Sequence, residues 1–406
     1  MAAPAPIRTS PTWRTGDVWA ISVSACFADL GYQSVLAAFP LFLVLDLHQP
    51  VFLFGLASAL SYGGGTVFSL LGARLGDRFG HRRVALLGNS LIPLLSLSAL
   101  TQSPAVAIGL LTGGWWFRNL RSPSRRVMLT EAVPDVRDRN SAFGFLHALD
   151  VGGGALAGIW VLVAVSVHLQ YRWIFLATVV PLLASTFALS RARTGARVGP
   201  RPTTLVAAPS TRPLPGARAV LLGATMYGFT FYAVGFPVLT VAQGSGSEVA
   251  ALGAFLVFQA VSAATGYLLP GHLGATLARR FADLGWLGYG GGALGAAVVA
   301  VGYTAHLGLA VLLLGVALLG FGLGVVETLE PSLMSVLRPG GAAGRGFGAL
   351  SAARSWGVFV GNLVMGLLYG VAPGLAYGYA ALLAVGAAGV VVGAVPSARR
   401  ADERVS

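Results

Sequence analysis

Long apolar runs alternate with short polar breaks along the whole chain. The runs cover 18–45, 53–71, 84–101, 105–129, 142–167 and 173–189, then 219–241, 250–269, 284–303, 307–337, 347–371 and 375–395. A helix of about 20 mostly apolar residues crosses a bilayer core, so each run predicts a membrane span. One break differs from the rest: 191–218 is rich in Arg, Pro, Thr and Ala and has no apolar periodicity, which reads as a linker. The pattern predicts an all-α integral membrane protein of twelve transmembrane helices. Residues 1–190 form one six-helix bundle, 191–218 a cytoplasmic linker and 219–406 a second bundle.

Composition agrees and adds orientation. Hydrophobic residues make up 55% of the chain, charged residues 10%, and mean hydropathy is +0.76, against about 25% charged in soluble proteins. The net charge of +13 comes from arginine alone, because the chain contains no lysine. A basic chain invites a nucleic-acid reading, but position decides against it. Arg8 and Arg14, Arg74 to Arg83, Arg125 to Arg139, Arg191 to Arg218, Arg279 and Arg280, Arg338 and Arg345, and Arg399 to Arg404 all fall in breaks that alternation assigns to one side. Arg172 alone falls on the other. Short basic loops resist translocation, so that side is cytoplasmic and both termini lie there. One cysteine, Cys26, excludes an internal disulfide framework. The polar start 1–17 lacks the order of a removed signal peptide.

The break between the second and third runs reads Gly72-Ala-Arg-Leu-Gly-Asp-Arg-Phe-Gly-His-Arg-Arg83. Asp77, Arg78, Gly80, Arg82 and Arg83 resemble the loop signature of the major facilitator superfamily, with Ala73 in place of its leading glycine and His81 at a position normally basic. The resemblance implies alternating access by two bundles. It also implies that Asp77 sits against the cytoplasmic start of the eleventh helix, where a carboxylate meets the positive helix end and where this chain carries Arg345. A latch of Asp77 with Arg345 and the amides near Gly346 follows as an expectation. Internal duplication supports the same architecture. The segment 72–80 aligns with 274–282, Phe143-Gly144 with Phe347-Gly348, and Phe39-Pro40 with Phe236-Pro237, at nearly one shift. In carriers with two parallel repeats the substrate site lies at the midplane between them.

Charges inside apolar runs are the candidate chemistry, since each costs about 2.5–3.5 kcal/mol on insertion scales unless paired or wet. Asp29 lies about 18 Å from the cytoplasmic end of its helix at 1.5 Å per residue, and Asp150 is nearly as deep. Arg118 and Arg121 stand one turn apart at similar depth, with Arg125 continuing their face. Asp29, Arg118, Arg121 and Asp150 are therefore expected to form a buried cluster, with Tyr32 and Gln33 beside Asp29 suited to a polar ligand. In the second half Glu327, Glu330 and Arg354 occupy the tenth and eleventh runs, and Arg354 aligns with Asp150, so the repeat keeps a pair and exchanges its signs. Arg118-Asn-Leu-Arg-Ser resembles the fourth-helix signature of proton-coupled members, with Arg121 and Ser122 replacing its last two residues. Gly153-Gly-Ala-Leu-Ala-Gly158 is similar to the Gly-Pro-rich stretch of antiporters without its proline.

No phosphate-cradling Gly-Lys-Ser/Thr loop exists in a chain without lysine, which excludes a Walker-type ATPase. The histidines His48, His81, His147, His168, His272 and His306 are dispersed, with no i, i+4 pair for a metal. No enzyme activity, cofactor or metal is expected. The sequence reading is a monomeric secondary transporter of the bacterial cytoplasmic membrane, moving a small organic solute with protons as coupling partner and the lipid bilayer as solvent. Efflux by proton antiport leads. Symport or facilitated uptake of a polar metabolite is the alternative, and a non-transporting receptor or scaffold is the reading of another class. Asp29 is the first candidate for the coupling carboxylate and Glu327 the second.

Overall fold

The computed structural model describes residues 13–133, 136–194, 216–230, 234–269, 273, 276–337 and 343–403. No strand occurs among them. The helices are α1 Gly16–Asp46, α2 Val51–Phe79, α3 His81–Leu100, α4 Pro104–Ala132, α5 Val136–Ser166, α6 Tyr171–Arg191, α7 Ala217–Thr230, α8 Gly235–Ser245, α9 Glu248–Leu268, α10 Leu277–Thr304, α11 Leu309–Leu337, α12 Ala343–Val371, α13 Pro373–Val392 and α14 Val395–Asp402. Nine of them, α1, α2, α3, α5, α6, α9, α10, α11 and α13, are long and apolar enough to cross a membrane among the described residues. Helices α4 and α12 are 29 residues each, but intramembrane arginines dilute their hydropathy. The seventh predicted run is built as two helices, α7 and α8, on either side of 231–233.

Local chemistry sets the ends. Thr15 caps α1 by accepting from the Val18 amide at 3.3 Å, Ser247 caps α9 from Ala250, and Thr276 caps α10 from Arg279. Gly80, at φ 92°, makes the one-residue turn between α2 and α3 that an L side chain resists. At the opposite end, His48, His168 and His306 adopt φ of 53°, 57° and 52°. Histidine is among the residues enriched in this left-handed region, so three of the dispersed histidines terminate helices at the arginine-poor end.

In lipid, helices associate by close packing of small residues more than by hydrophobic burial. A Cβ added at Gly72 would lie 2.0 Å from the Leu120 carbonyl oxygen, one at Gly153 would lie 2.2 Å from the Cys26 carbonyl oxygen, and one at Gly322 would lie 2.5 Å from the Gly292 amide nitrogen. These contacts draw α2 to α4, α1 to α5 and α10 to α11.

The apolar core is continuous at the arginine-poor end and divided at the other. One cluster joins Tyr32, Phe39, Phe42, Phe54 and Phe175 with Phe236, Leu239, Phe255, Tyr369 and Tyr377, and so contains residues from both sides of the linker. Towards the arginine-rich end the core splits. Val18, Ile21, Met128, Leu129 and Leu146 form one part, and Val220, Phe281, Tyr289, Leu329 and Leu350 the other. Among the described residues, contacts across the linker include Phe54 against Phe236 with ring centroids 5.0 Å apart, Gly55 against Gly366, and Thr66 Oγ1 2.5 Å from Ser355 Oγ. At the arginine-rich end the buried apolar clusters on the two sides of the linker are thus separate among the described residues.

Candidate functional site

Asp29 is 7% exposed on α1, and one turn later the Tyr32 hydroxyl donates to its carboxylate. Arg118, at the middle of α4, donates from Nη2 to the Tyr32 oxygen at 3.3 Å. Its guanidinium also stacks over the Tyr32 ring at 5.2 Å and the Trp115 ring at 4.9 Å, a placement that stabilises a cation on a π face. Tyr32 therefore bridges Asp29 to Arg118, and neither charge touches the other directly. Trp115 was not singled out in the sequence, although it lies one turn before Arg118. Gly153 positions this group, because a Cβ there would also press on the Asp29 Cβ at 3.1 Å. Gln33 lines a small cavity of about 30 Å³ with Phe39, Phe54 and Tyr62, whose ring packs on Trp115 with centroids 5.2 Å apart.

Asp150 pairs with Arg125 rather than with Arg118 or Arg121. Arg125 donates from Nη1 and Nη2 to the two carboxylate oxygens at 3.3 and 3.1 Å, the two-pronged geometry that guanidinium and carboxylate favour. Arg121, 0% exposed, reaches α3 and donates to Asn89 Oδ1 at 2.5 Å. Asn89 donates in turn to Ser185 and Thr186 at 3.0 and 2.8 Å, and Ser185 donates to the Ser24 carbonyl at 2.7 Å. That chain ties α4, α3, α6 and α1 together. The four residues predicted as one cluster are thus resolved into an Asp29–Tyr32–Arg118 bridge, an Arg125–Asp150 pair and an Arg121–Asn89 network. Asn89 had one sequence signal, an amide inside an apolar run.

Beyond the linker, Arg354 of α12 donates from Nε to Glu330 Oε2 at 2.5 Å and from Nη1 to Glu327 Oε1 at 2.8 Å. Glu330 is 0% exposed and also accepts from the Tyr289 hydroxyl at 2.7 Å. Tyr227 packs on Tyr289 with ring centroids 4.8 Å apart. The Glu327 side chain is 54% exposed. Asp150 and Arg354, the aligned positions of the repeat, thus each close an ion pair with the preceding long helix, with opposite signs.

At the arginine-rich end Asp77 is exposed and lies 3.3 Å from His81 Nε2. Arg345 lies outside the residues whose side chains are described, and the expected latch with it. Arg78 stacks on Phe79 at 5.2 Å and Arg83 is exposed. Arg82 donates to the carbonyls of Ser190 and Ala192, both at 2.7 Å, while Asp17 accepts from the amides of Arg193 and Thr194 at 3.2 and 3.1 Å. The signature loop therefore caps the end of α6 where the linker begins, a role the sequence did not suggest. At the other face the Tyr171 hydroxyl donates to Glu248 Oε2 at 2.6 Å, joining α6 to α9 beside an open cavity of about 720 Å³.

A polytopic helical bundle with paired charges held at mid-depth is the architecture of a membrane solute carrier. The family model for the Major Facilitator Superfamily matches residues 21–362, and the chain belongs to that superfamily. No curated protein matches it in sequence. Among solved structures it is similar to a POT family transporter in complex with a thioalcohol-conjugated peptide, at 14% identity and a TM-score of 0.73, covering 93% of this chain and 96% of that one. It is similar to the nucleoside transporter NupG at 13% identity and TM-score 0.73, covering 95% and 100%. It also resembles a bacterial homolog of the human lysosomal transporter Spinster in an inward-facing, unoccupied conformation, at 14% identity and TM-score 0.67, covering 96% and 98%. The chain is a multi-pass membrane transporter of this superfamily.

Proposed function

We propose that the protein exports a small organic solute from a bacterial cytoplasm by alternating access, in exchange for protons. In this reading α4, α12 and the α7 and α8 pair also cross the membrane, which gives twelve spans in two six-helix bundles with both termini cytoplasmic. The observation that carries it is the set of charged side chains held inside the helices, the Asp29–Tyr32–Arg118 bridge and the Arg125–Asp150 pair on one side of the linker and Glu327–Arg354–Glu330 on the other. Ion pairs of this kind, set on separate apolar cores, have a purpose where the cores move relative to each other.

Proton coupling needs a carboxylate that is paired in one state and released in another. Asp29 suits this because Arg118 reaches it only through the Tyr32 hydroxyl, so a small shift of α4 breaks the link without stranding a direct ion pair. Glu327 is second, since Arg354 keeps Glu330 as a partner when Glu327 leaves. In this reading the separate apolar clusters at the arginine-rich end are the parts that move against each other. Closure would bring Asp77 towards the start of α12 and form the Arg345 latch. The test is proton flux in vesicles carrying the purified protein, across a compound panel. Solute-dependent proton movement in the parent and its loss in a folded Asp29→Asn protein support antiport; solute movement that ignores the proton gradient overturns it.

A further inference from the structure

The signature loop carries His81 at a position normally basic, and the fold provides a fitted place for its ring. His81 opens α3 with its side chain 11% exposed, while Asp77, four residues earlier on α2, is 72% exposed. A Cβ at Gly76 would overlap His81 Nδ1 and lie 2.7 Å from Ser124 Oγ. The notch that holds the imidazole between α2 and α4 therefore exists because position 76 has no side chain. In it, Nε2 lies 3.3 Å from Asp77 Oδ1 and Nδ1 lies 3.3 Å from Ser124 Oγ. The same hydroxyl lies 3.4 Å from the Gly72 carbonyl oxygen.

This notch accepts both forms of the ring. Neutral, the imidazole donates from Nε2 to Asp77 and accepts at Nδ1 from Ser124. Protonated, it donates from both nitrogens, and the Ser124 proton turns to the Gly72 carbonyl. No heavy atom has to move, yet the His81–Asp77 pair loses its net negative charge. Histidine changes charge between about pH 5 and 8, whereas an arginine here would stay charged throughout. The other charged groups on the helices packed around the ring are Arg74 and Arg78 of α2, Arg82 and Arg83 of α3, Arg121, Arg125, Arg126 and Glu131 of α4, and Arg191 of α6. Arg121 and Arg125 are engaged by Asn89 and Asp150, and Arg82 by the carbonyls of Ser190 and Ala192. Asp77 is the acid in contact with the ring, and it is held there while the apolar clusters at this end are separate. A stronger hold on Asp77 therefore favours the separated arrangement.

Building on the alternating-access reading, we propose that His81 is a cytoplasmic pH switch: protonated, it keeps Asp77 on its own side of the linker, and neutral, it releases Asp77 towards the start of α12. Asp77 is largely exposed, so the charged pair acts as a surface ion pair, enough to change a population about two- to fivefold. The test is the distance between spin labels at Arg191→Cys and Arg400→Cys, exposed at the arginine-rich end on the two sides of the linker. Full-length Cys26→Ala protein is measured across about pH 5 to 8. On acidification the longer-distance population should grow about two- to fivefold. His81→Arg should give the acidic distribution and His81→Gln the alkaline one, with the step lost in both; two folded variants displaced in opposite directions set aside a folding defect. A step that survives in both variants belongs to the buried carboxylates and overturns the switch, as does a parent that ignores pH. The vesicle assay judges the transport reading separately. Solute movement that ignores the proton gradient sinks proton exchange and leaves a His81-dependent step standing, whereas a parent that responds to solute but not to pH sinks only the switch.

Discussion

The seal at the arginine-poor end contains a backbone crossing that a single methyl group should wedge open. Gly55 of α2 faces Gly366 and Asn362 of α12, and a Cβ at position 55 would lie 2.6 Å from the Asn362 carbonyl oxygen and 2.8 Å from the Gly366 Cα. Ordinary contact for such atoms is about 3.5 Å, so Gly55→Ala requires the helices to part by most of an ångström. Overpacking of this kind costs about 1–3 kcal/mol. The cost falls on the state in which these ends are packed, and is relieved when they separate. The ratio of closed to open conformers at that face should therefore fall by about 5- to 150-fold. The assay is the distance between spin labels at Ser103→Cys and His306→Cys, both exposed beside turns at that end, in a Cys26→Ala background that removes the native thiol. A longer distance should appear in Gly55→Ala. Gly72→Ala is the control. Its Cβ would meet the Leu120 carbonyl oxygen at 2.0 Å, but α2 and α4 lie on the same side of the linker, so it should destabilise without changing that distance. An unchanged distance distribution in folded Gly55→Ala protein would refute the reasoning that this crossing belongs to a moving seal.

Other outcomes follow from the same geometry. Tyr171→Phe removes the hydroxyl that reaches the Glu248 carboxylate, worth about 1.5–3 kcal/mol for a bond to a charged group, and should shift the same label distance in the same direction; no shift would show that the bond is incidental to closure. Asp150→Asn strands the buried Arg125, and its cost should approach but not reach the ~3–5 kcal/mol of a fully buried pair, because the Asp150 side chain is 22% exposed. Combining it with Arg125→Met should recover most of the lost thermal midpoint, whereas additive losses would mean the two residues are not coupled. Arg82→Ala frees the carbonyls of Ser190 and Ala192, so limited proteolysis should cut the linker severalfold faster than in the parent; equal rates would count against a role for the signature loop in anchoring it.

That the chain is an all-helical, multi-pass membrane protein carrying Asp29, Arg118, Asp150, Glu330 and Arg354 inside long apolar helices was legible in the sequence, because a bilayer imposes a length and a polarity that one dimension records. The paired signs at Asp150 and Arg354 were legible too, through the repeat. Partner choice was not. Arg118, Arg121 and Arg125 share one helical stripe, and a stripe says only that side chains lean the same way. Which of them meets Asp150, which turns to Asn89 and which is left to stack on Tyr32 and Trp115 depends on how neighbouring helices cross, through glycine contacts such as Gly153 on Cys26 and Gly72 on Leu120. Those crossings are long-range packing, so only the tertiary structure decided them. It also decided which end of the bundle is sealed, since a core that is whole near Phe54 and Phe236 and parted near Leu129 and Leu329 is one of several arrangements that the same apolar pattern permits.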